Sequence, residues 1–242
     1  GTLGLGVTLV ETGMVTAREP LTTIRLDTPA GPVLVEAEVR AGRATGAAFV
    51  NVPAFVLARD VAVEVPGRGA VALDVTFGGS FFGAVRAEAL GIEVRPENAR
   101  ALADAGVALR HAVNRAIAVE HPTLPHIRSV DLVTIWGPPT VAGAKYKCIH
   151  VFADGQFDRS PGGTGTSHMM ALLIARGAMR TDEAIVAEGL IGTTFGGRIV
   201  GETRVGDYPA IVPRVSGTAY ITGVHQFLFD PDDPLRDGFL VG

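Results

Sequence analysis

The chain has 242 residues, a formal net charge of −4, 47% hydrophobic and 19% charged residues. This is a globular, rather apolar composition; it excludes a disordered tail and gives no global pull toward nucleic acid or an anionic membrane. A single cysteine, Cys148, rules out an intrachain disulfide and a four-cysteine zinc site, and 31 glycines with 15 prolines argue against a plain helical bundle. In chain order, the apolar run from Thr2 to Thr12 reads as a short buried helix stopped at Gly13. From Leu21 to about Ala87 the pattern is strand. Thr23–Asp27, Val33–Val39, Phe49–Pro53, Asp60–Val65 and Val71–Val75 are separated by Gly- and Pro-rich turns. Pro96 opens a helix that runs to Ala118, with Leu102, Ala105, Leu109, Ala112, Val113 and Ala116 on one face. A domain boundary is placed near residue 95. Strands resume at Val130–Trp136 and Tyr146–Phe152, a second apolar helix spans Thr166–Arg176 before Gly177, and short strands follow to the end. Gly1-Thr2 and Gly165-Thr166 each precede a helix stopped twelve residues after the glycine. Coincidence and internal duplication both account for that echo.

No apolar run approaches the roughly 18 residues of a membrane-spanning helix, and the first residues lack the basic start of a signal peptide. A cytoplasmic protein without a membrane or nucleic-acid partner is expected. The six histidines, His111, His121, His126, His150, His168 and His225, form no metal-ligand spacing, so no metal is expected. His121 and His126 flank prolines in a loop and read as surface; His225 reads as part of a strand. Asp230, Asp232 and Asp233 alternate with prolines and suit a turn rather than a calcium loop.

The densest motif is Asp158-Arg159-Ser160-Pro161-Gly162-Gly163-Thr164-Gly165-Thr166-Ser167. A glycine-rich loop entering a helix offers free N–H groups and a positive dipole end, a seat for a phosphate or carboxylate. No Gly-Lys-Ser/Thr ending is present, so a carboxylate fits better than a nucleotide phosphate. Asp158 stands where an ammonium group would complete an amino-acid zwitterion. The same residues also suit a helix cap and tight turn with no ligand.

This stretch resembles the signature of the proline racemase family, Asp-Arg-Ser-Pro-Cys-Gly-Thr-Gly-Thr-Ser. Asn51–Phe55, Phe77–Phe82, Gly192 with Gly197–Val200, Val205–Tyr208, Gly217–Gly223 and Asp230–Leu235 with Gly238-Phe239 are also similar to family segments, so the resemblance runs end to end. It implies a diaminopimelate-epimerase-like α/β (α+β) fold. Two pseudo-symmetric halves each wrap a curled, mostly antiparallel sheet around a central helix, with the active site between them. Residues 1–95 are then the remainder of the N-terminal half, to which a strand at about 226–242 returns, and 96–225 form the other half.

The resemblance further implies cofactor-free removal of the α-proton of proline or a hydroxyproline by a thiolate, with a second thiol returning a proton on the opposite face. The family's amine-binding Asp corresponds to Asp158 and its carboxylate-binding Gly-Thr pair to Gly163-Thr164. The second cysteine corresponds to Gly162, which can neither take nor give a proton. Gly1-Thr2 matches the end of the family's Met-Cys-Gly-His-Gly-Thr, so the first cysteine is expected three residues ahead of Gly1, and the chain as it stands is expected to be inactive. Cys148 matches neither position and reads as a buried thiol. Loss of one thiol weakens a two-base racemase more than a one-base elimination. Dehydration of trans-3-hydroxy-L-proline is therefore the leading expectation. Proline racemase or 4-hydroxyproline epimerase activity, and an inactive amino-acid-binding homologue, are the alternatives. Phe81 and Phe82 are candidates to line a pocket around the pyrrolidine ring, with core packing as the alternative. The expected partner is a small-molecule substrate, and a homodimer is admitted.

Overall fold

A computed structural model describes residues 1–239. Strand alternation is plainest in β2 (Gly31–Arg40), where Val33, Val35, Ala37 and Val39 are buried and the intervening Leu34, Glu36 and Glu38 face outward or sit at the edge. β2 lies between β1 (Leu21–Thr28) and β3 (Arg43–Val50), all antiparallel. Helix α1 (Thr2–Glu11) lays Leu3, Val7 and Val10 on this sheet, and Gly6 lets it approach closely: a Cβ there would stand 2.6 Å from Val35.

The remaining strands are β4 (Ala54–Val65), β5 (Gly69–Phe77), β6 (Phe81–Arg86), β7 (Val130–Gly137), β8 (Tyr146–Phe152), β9 (Gln156–Phe157), β10 (Ile185–Gly189), β11 (Thr194–Val205) and β12 (Tyr208–Gly217). The order β12-β11-β10-β8-β7-β6-β5-β4 closes on itself, because β4 also pairs with β12 through Ala210↔Phe55 and Ile211↔Ala54. Helix α3 (Gly163–Ala175) is buried on every side from Gly165 to Leu173, as a helix enclosed by this barrel must be. Helix α2 (Ala99–Ala116) packs its apolar stripe on the outside, where Gly106 would place a Cβ 2.5 Å from Val151. β12 belongs to both sheets. Its residues 210–211 pair with β4, and Arg214–Gly217 pair with β3. At the changeover, Pro213 and Val212 face a register shift between Ile199 and Gly201 of β11.

Several expectations change. β4, β5 and β6 share one closed sheet with β7 and β12, so the topology has no break at residue 95; it divides between β3 and β4 instead. Strand Phe49–Pro53 ends at Val50, because Asn51–Pro53 turn the chain into the barrel. Both apolar stretches are helical, and α3 starts earlier than expected: Gly163-Thr164-Gly165 is wound into its first turn rather than left as loop, with Gly162 as the cap. Residues 218–239 contain no strand, His225 included, and 240–242 of the expected C-terminal strand lie outside the described residues. His121 is buried, not on the surface. Its ring packs edge-on against Phe55 and Phe77, and its Nδ1 accepts the N–H groups of Thr123 and Leu124. Among the described residues no helix is long and apolar enough to cross a membrane.

Candidate active site

The N-terminus of α3 is built on Gly162, whose backbone at φ +65° and ψ 137° lies in the region that favours glycine. Thr166 closes the first turn, donating its N–H to the Gly162 carbonyl at 2.9 Å and its Oγ1–H to the same oxygen at 2.8 Å. The N–H groups of Gly163, Thr164 and Gly165 donate to no protein acceptor among the described residues. The first turn of α3 holds no acidic residue. The helix start opens into a cleft of about 700 Å³, a volume suited to a small molecule, which α1 borders through Gly1–Gly4. The positive dipole end and free donors of α3 therefore face this space, with the Asp158 carboxylate beside them. That arrangement can hold an amino-acid carboxylate and stabilise charge building up on it.

Asp158, Gly162, Gly163 and Thr164 all lie on this cleft. Phe81 and Phe82 do not. β6 is covered by α2 on one face and α3 on the other, so consecutive phenylalanines are both fully buried; Phe81 joins Phe55 and Phe77 outside the barrel wall and Phe82 faces inward. The aromatic cleft residues are instead Phe49, Phe195 and Tyr220. Phe49 sits so close to the α3 start that a Cβ on Gly163 would stand 2.7 Å from its Cζ. Its position at the end of an alternating strand carried no distinguishing signal.

Beneath the α3 start lies a chain of buried polar side chains that motif reading missed. His150 Nε2–H donates to the Pro161 carbonyl at 2.7 Å, and Thr134 Oγ1 stands 2.8 Å from both His150 Nδ1 and His168 Nε2. Thr76 Oγ1 completes it at 2.8 Å from His168 Nδ1, and the Phe82 ring stacks on His168 with centroids 4.0 Å apart. Burial pushes both imidazoles below their usual range; His150 lowers His168 further, while the Pro161 hydrogen bond and Asp158 partly offset the effect on His150. Cys148 is buried 3.5 Å from His150 Nε2. Desolvation, then the nearby Glu188 and Asp158 charges, push its thiol up, away from the reactive thiolate. The β5–β6 turn locks α3 from the other side. A Cβ on Gly78 would stand 2.6 Å from His168 N and from Thr164 O, and Asn51 Nδ2 donates to Gly78 O and Ser167 Oγ at 2.7 and 3.0 Å. Among the described residues no group of three or more His, Cys, Asp or Glu could hold a metal ion.

A closed barrel around a buried helix, whose start opens into a small-molecule cleft bordered by a second helix, is the arrangement to compare with known proteins. The chain belongs to the proline racemase family, whose sequence pattern it matches over residues 1–240. It is 45% identical over 241 residues to a proline racemase of Clostridioides difficile, covering all of this chain and 72% of that protein. It is 42% identical over 244 residues to a 4-hydroxyproline 2-epimerase of Cereibacter sphaeroides, with the same coverage. A hydroxyproline epimerase of Agrobacterium vitis, solved with bound trans-4-hydroxy-L-proline, superposes with a TM-score of 0.91 at 33% identity, covering 98% of this chain and 68% of that one. The fold is thus the diaminopimelate-epimerase-like α/β fold expected from the sequence.

Proposed function

We propose that this protein acts on the α-carbon of proline or a hydroxyproline as a racemase or epimerase, without a cofactor. The observation that carries the reading is the start of α3, with its free N–H groups, facing a cleft beside Asp158 and across from α1. The carboxylate takes these N–H groups, the ammonium group takes Asp158, and Cα is held between α1 and α3. Backbone donors aimed at the carboxylate lower the cost of the carbanion that forms when the α-proton passes to a base on the α1 side, the role the family resemblance gives to a thiolate ahead of Gly1. Inversion then requires a proton delivered to the opposite face. Gly162 contributes none, so the donor on the α3 side is a water molecule or a hydroxyl of Ser160 or Thr164, which line the cleft.

The relatives named as racemase and epimerase favour this isomerisation over dehydration. One observation favours the second reading: the absent side chain at Gly162 suits a one-base elimination of water from trans-3-hydroxy-L-proline. Proton NMR in D2O separates them. In a chain that carries the cysteine the family resemblance places ahead of Gly1, loss of the α-proton signal of L-proline or trans-4-hydroxy-L-proline, with the epimer appearing, is expected. Water loss from trans-3-hydroxy-L-proline alone supports the second reading, and saturable binding with no exchange overturns both in favour of a binding protein.

Asp158→Asn tests the ammonium assignment. It should weaken proline binding by about tenfold or more, the scale of a lost charged hydrogen bond. Pyrrole-2-carboxylate, which lacks an ammonium group, should lose much less. Equal losses for both ligands in calorimetry would remove Asp158 from that role.

A further inference from the structure

We propose that His150 is a positioning residue for the carboxylate seat: by holding the Pro161 carbonyl inward it turns the Gly162 N–H into the cleft. The inference rests on the cleft binding a carboxylate, as in the function proposed above. A trans peptide is planar, with its C=O and N–H on opposite sides. The Pro161 carbonyl points into the protein, 2.7 Å from His150 Nε2, so the Gly162 N–H of the same peptide points out. Its contact agrees: it reaches Ser160 Oγ, on the cleft, at a long 3.3 Å. That leaves the Gly162 N–H available to join the three free donors of the first turn of α3. Thr166 Oγ1 also approaches the Pro161 carbonyl, but at 3.4 Å, and its shorter bond goes to Gly162 O.

The chain behind His150 fixes its hydrogen arrangement completely. A carbonyl only accepts, so His150 Nε2 carries the proton and the neutral ring's Nδ1 accepts from Thr134 Oγ1–H. With its one hydrogen used, Thr134 accepts from His168 Nε2–H, and His168 Nδ1 accepts from Thr76 Oγ1–H. Four side chains from β5, β7, β8 and α3 thus present a single N–H to a single carbonyl. The ring also occupies the ground beneath position 162. A Cβ on Gly162 would stand 3.0 Å from His150 Cδ2, and one on Gly165 2.2 Å from Nε2. A side chain at 162 would need the ring to yield slightly and would have to adopt a backbone of φ +65° and ψ 137°, which favours glycine.

The test is calorimetric binding of pyrrole-2-carboxylate and its uncharged carboxamide to wild type, His150→Leu and His150→Gln. Loss of one donor to a carboxylate predicts about tenfold weaker carboxylate binding by His150→Leu, with His150→Gln, which keeps a donor, within about threefold of wild type. Carboxamide binding should hardly change in either variant. Unchanged carboxylate binding by His150→Leu, or equal loss of both compounds, overturns the proposal. If His150→Leu does not fold, Thr134→Val, which removes the hydroxyl that orients the imidazole, takes its place with the same expected pattern. If wild type binds neither compound, the substrate reading fails by itself. Crystal structures then decide the positioning role. A 161–162 peptide turned over in the His150 variant supports it, and the same peptide orientation in both overturns it.

Discussion

Gly165→Ala is expected to destabilise the protein by about 2 kcal/mol, although alanine is the better helix former. Alanine gains up to about 1 kcal/mol over glycine inside a helix, and less in the first turn. Against that, the new methyl would stand 2.2 Å from His150 Nε2 and 2.5 Å from its Cε1. The ring cannot slide away, because Thr134 holds one edge and the Pro161 carbonyl the other. Forcing atoms into a packed interior costs about 1–3 kcal/mol, so the clash outweighs the propensity. Urea unfolding of Gly165→Ala reads the loss, and His150→Ala supplies the control background. There the methyl has room, and the substitution should become neutral or slightly stabilising. The same loss in both backgrounds would mean that the imidazole is not the obstacle.

The second large effect concerns Glu188, whose side chain is fully buried 2.9 Å from the Lys147 ammonium. Glu188 also accepts Thr140 and Val141 N–H at 2.7 and 2.8 Å, together with the Thr140 hydroxyl. Burial alone would raise its carboxyl; these hydrogen bonds and the lysine outweigh burial and bring it down to about 2. Glu188→Ala leaves Lys147 without its ion-pair partner among the described residues, in a site where its side chain is 7% exposed. A loss of about 3–5 kcal/mol is expected, measured by denaturant unfolding near neutral pH. The paired replacement Glu188→Leu with Lys147→Met should cost far less, since no charge is then stranded. The pH dependence has a definite sign. A carboxyl lowered from 4.5 to about 2 on folding stabilises fully above pH 4.5 and loses that contribution, about 3 kcal/mol, as pH falls toward 2. The doubly replaced protein should lose less stability between pH 4.5 and 2 than wild type. Parallel curves would show that Glu188 does not carry the acid sensitivity.

Much of the site was legible because Asp158–Ser167 is contiguous and chemically unusual, and β2, with its clean alternation, and β8, buried almost throughout, were placed within a residue or two. The errors have physical causes. Gly163-Thr164-Gly165 read as loop because glycine weakens helices. Here it is wound into the first turn, and glycine is needed at 163 and 165 because Phe49 and His150 lie too close for a Cβ there. Phe81 and Phe82 were candidates for a pocket around the pyrrolidine ring, with core packing as the alternative; both are core, Phe81 against Phe55 and Phe77 and Phe82 against His168. The chain from Thr76 to His150 was invisible. Its members lie on four elements, and only the pairing of β5 through β8 around α3 brings them together. His168 and His150 stood out in the sequence only as two of six histidines without metal-ligand spacing.

The split pairing of β12 bears on how the cleft can change width. The α3 side of the cleft is carried by strands joined to Ala210 and Ile211, and the α1 side by the sheet joined to Arg214–Gly217. Between these anchor points the ladder is interrupted only where Val212 and Pro213 face the irregularity at Ile199–Gly201. Proline offers no N–H there and the bulge replaces a regular pair, so β12 passes from one sheet to the other where its ladder with β11 is irregular. In backbone pairing, the spacing of the α1 and α3 sides of the cleft therefore hangs on the course of this one strand.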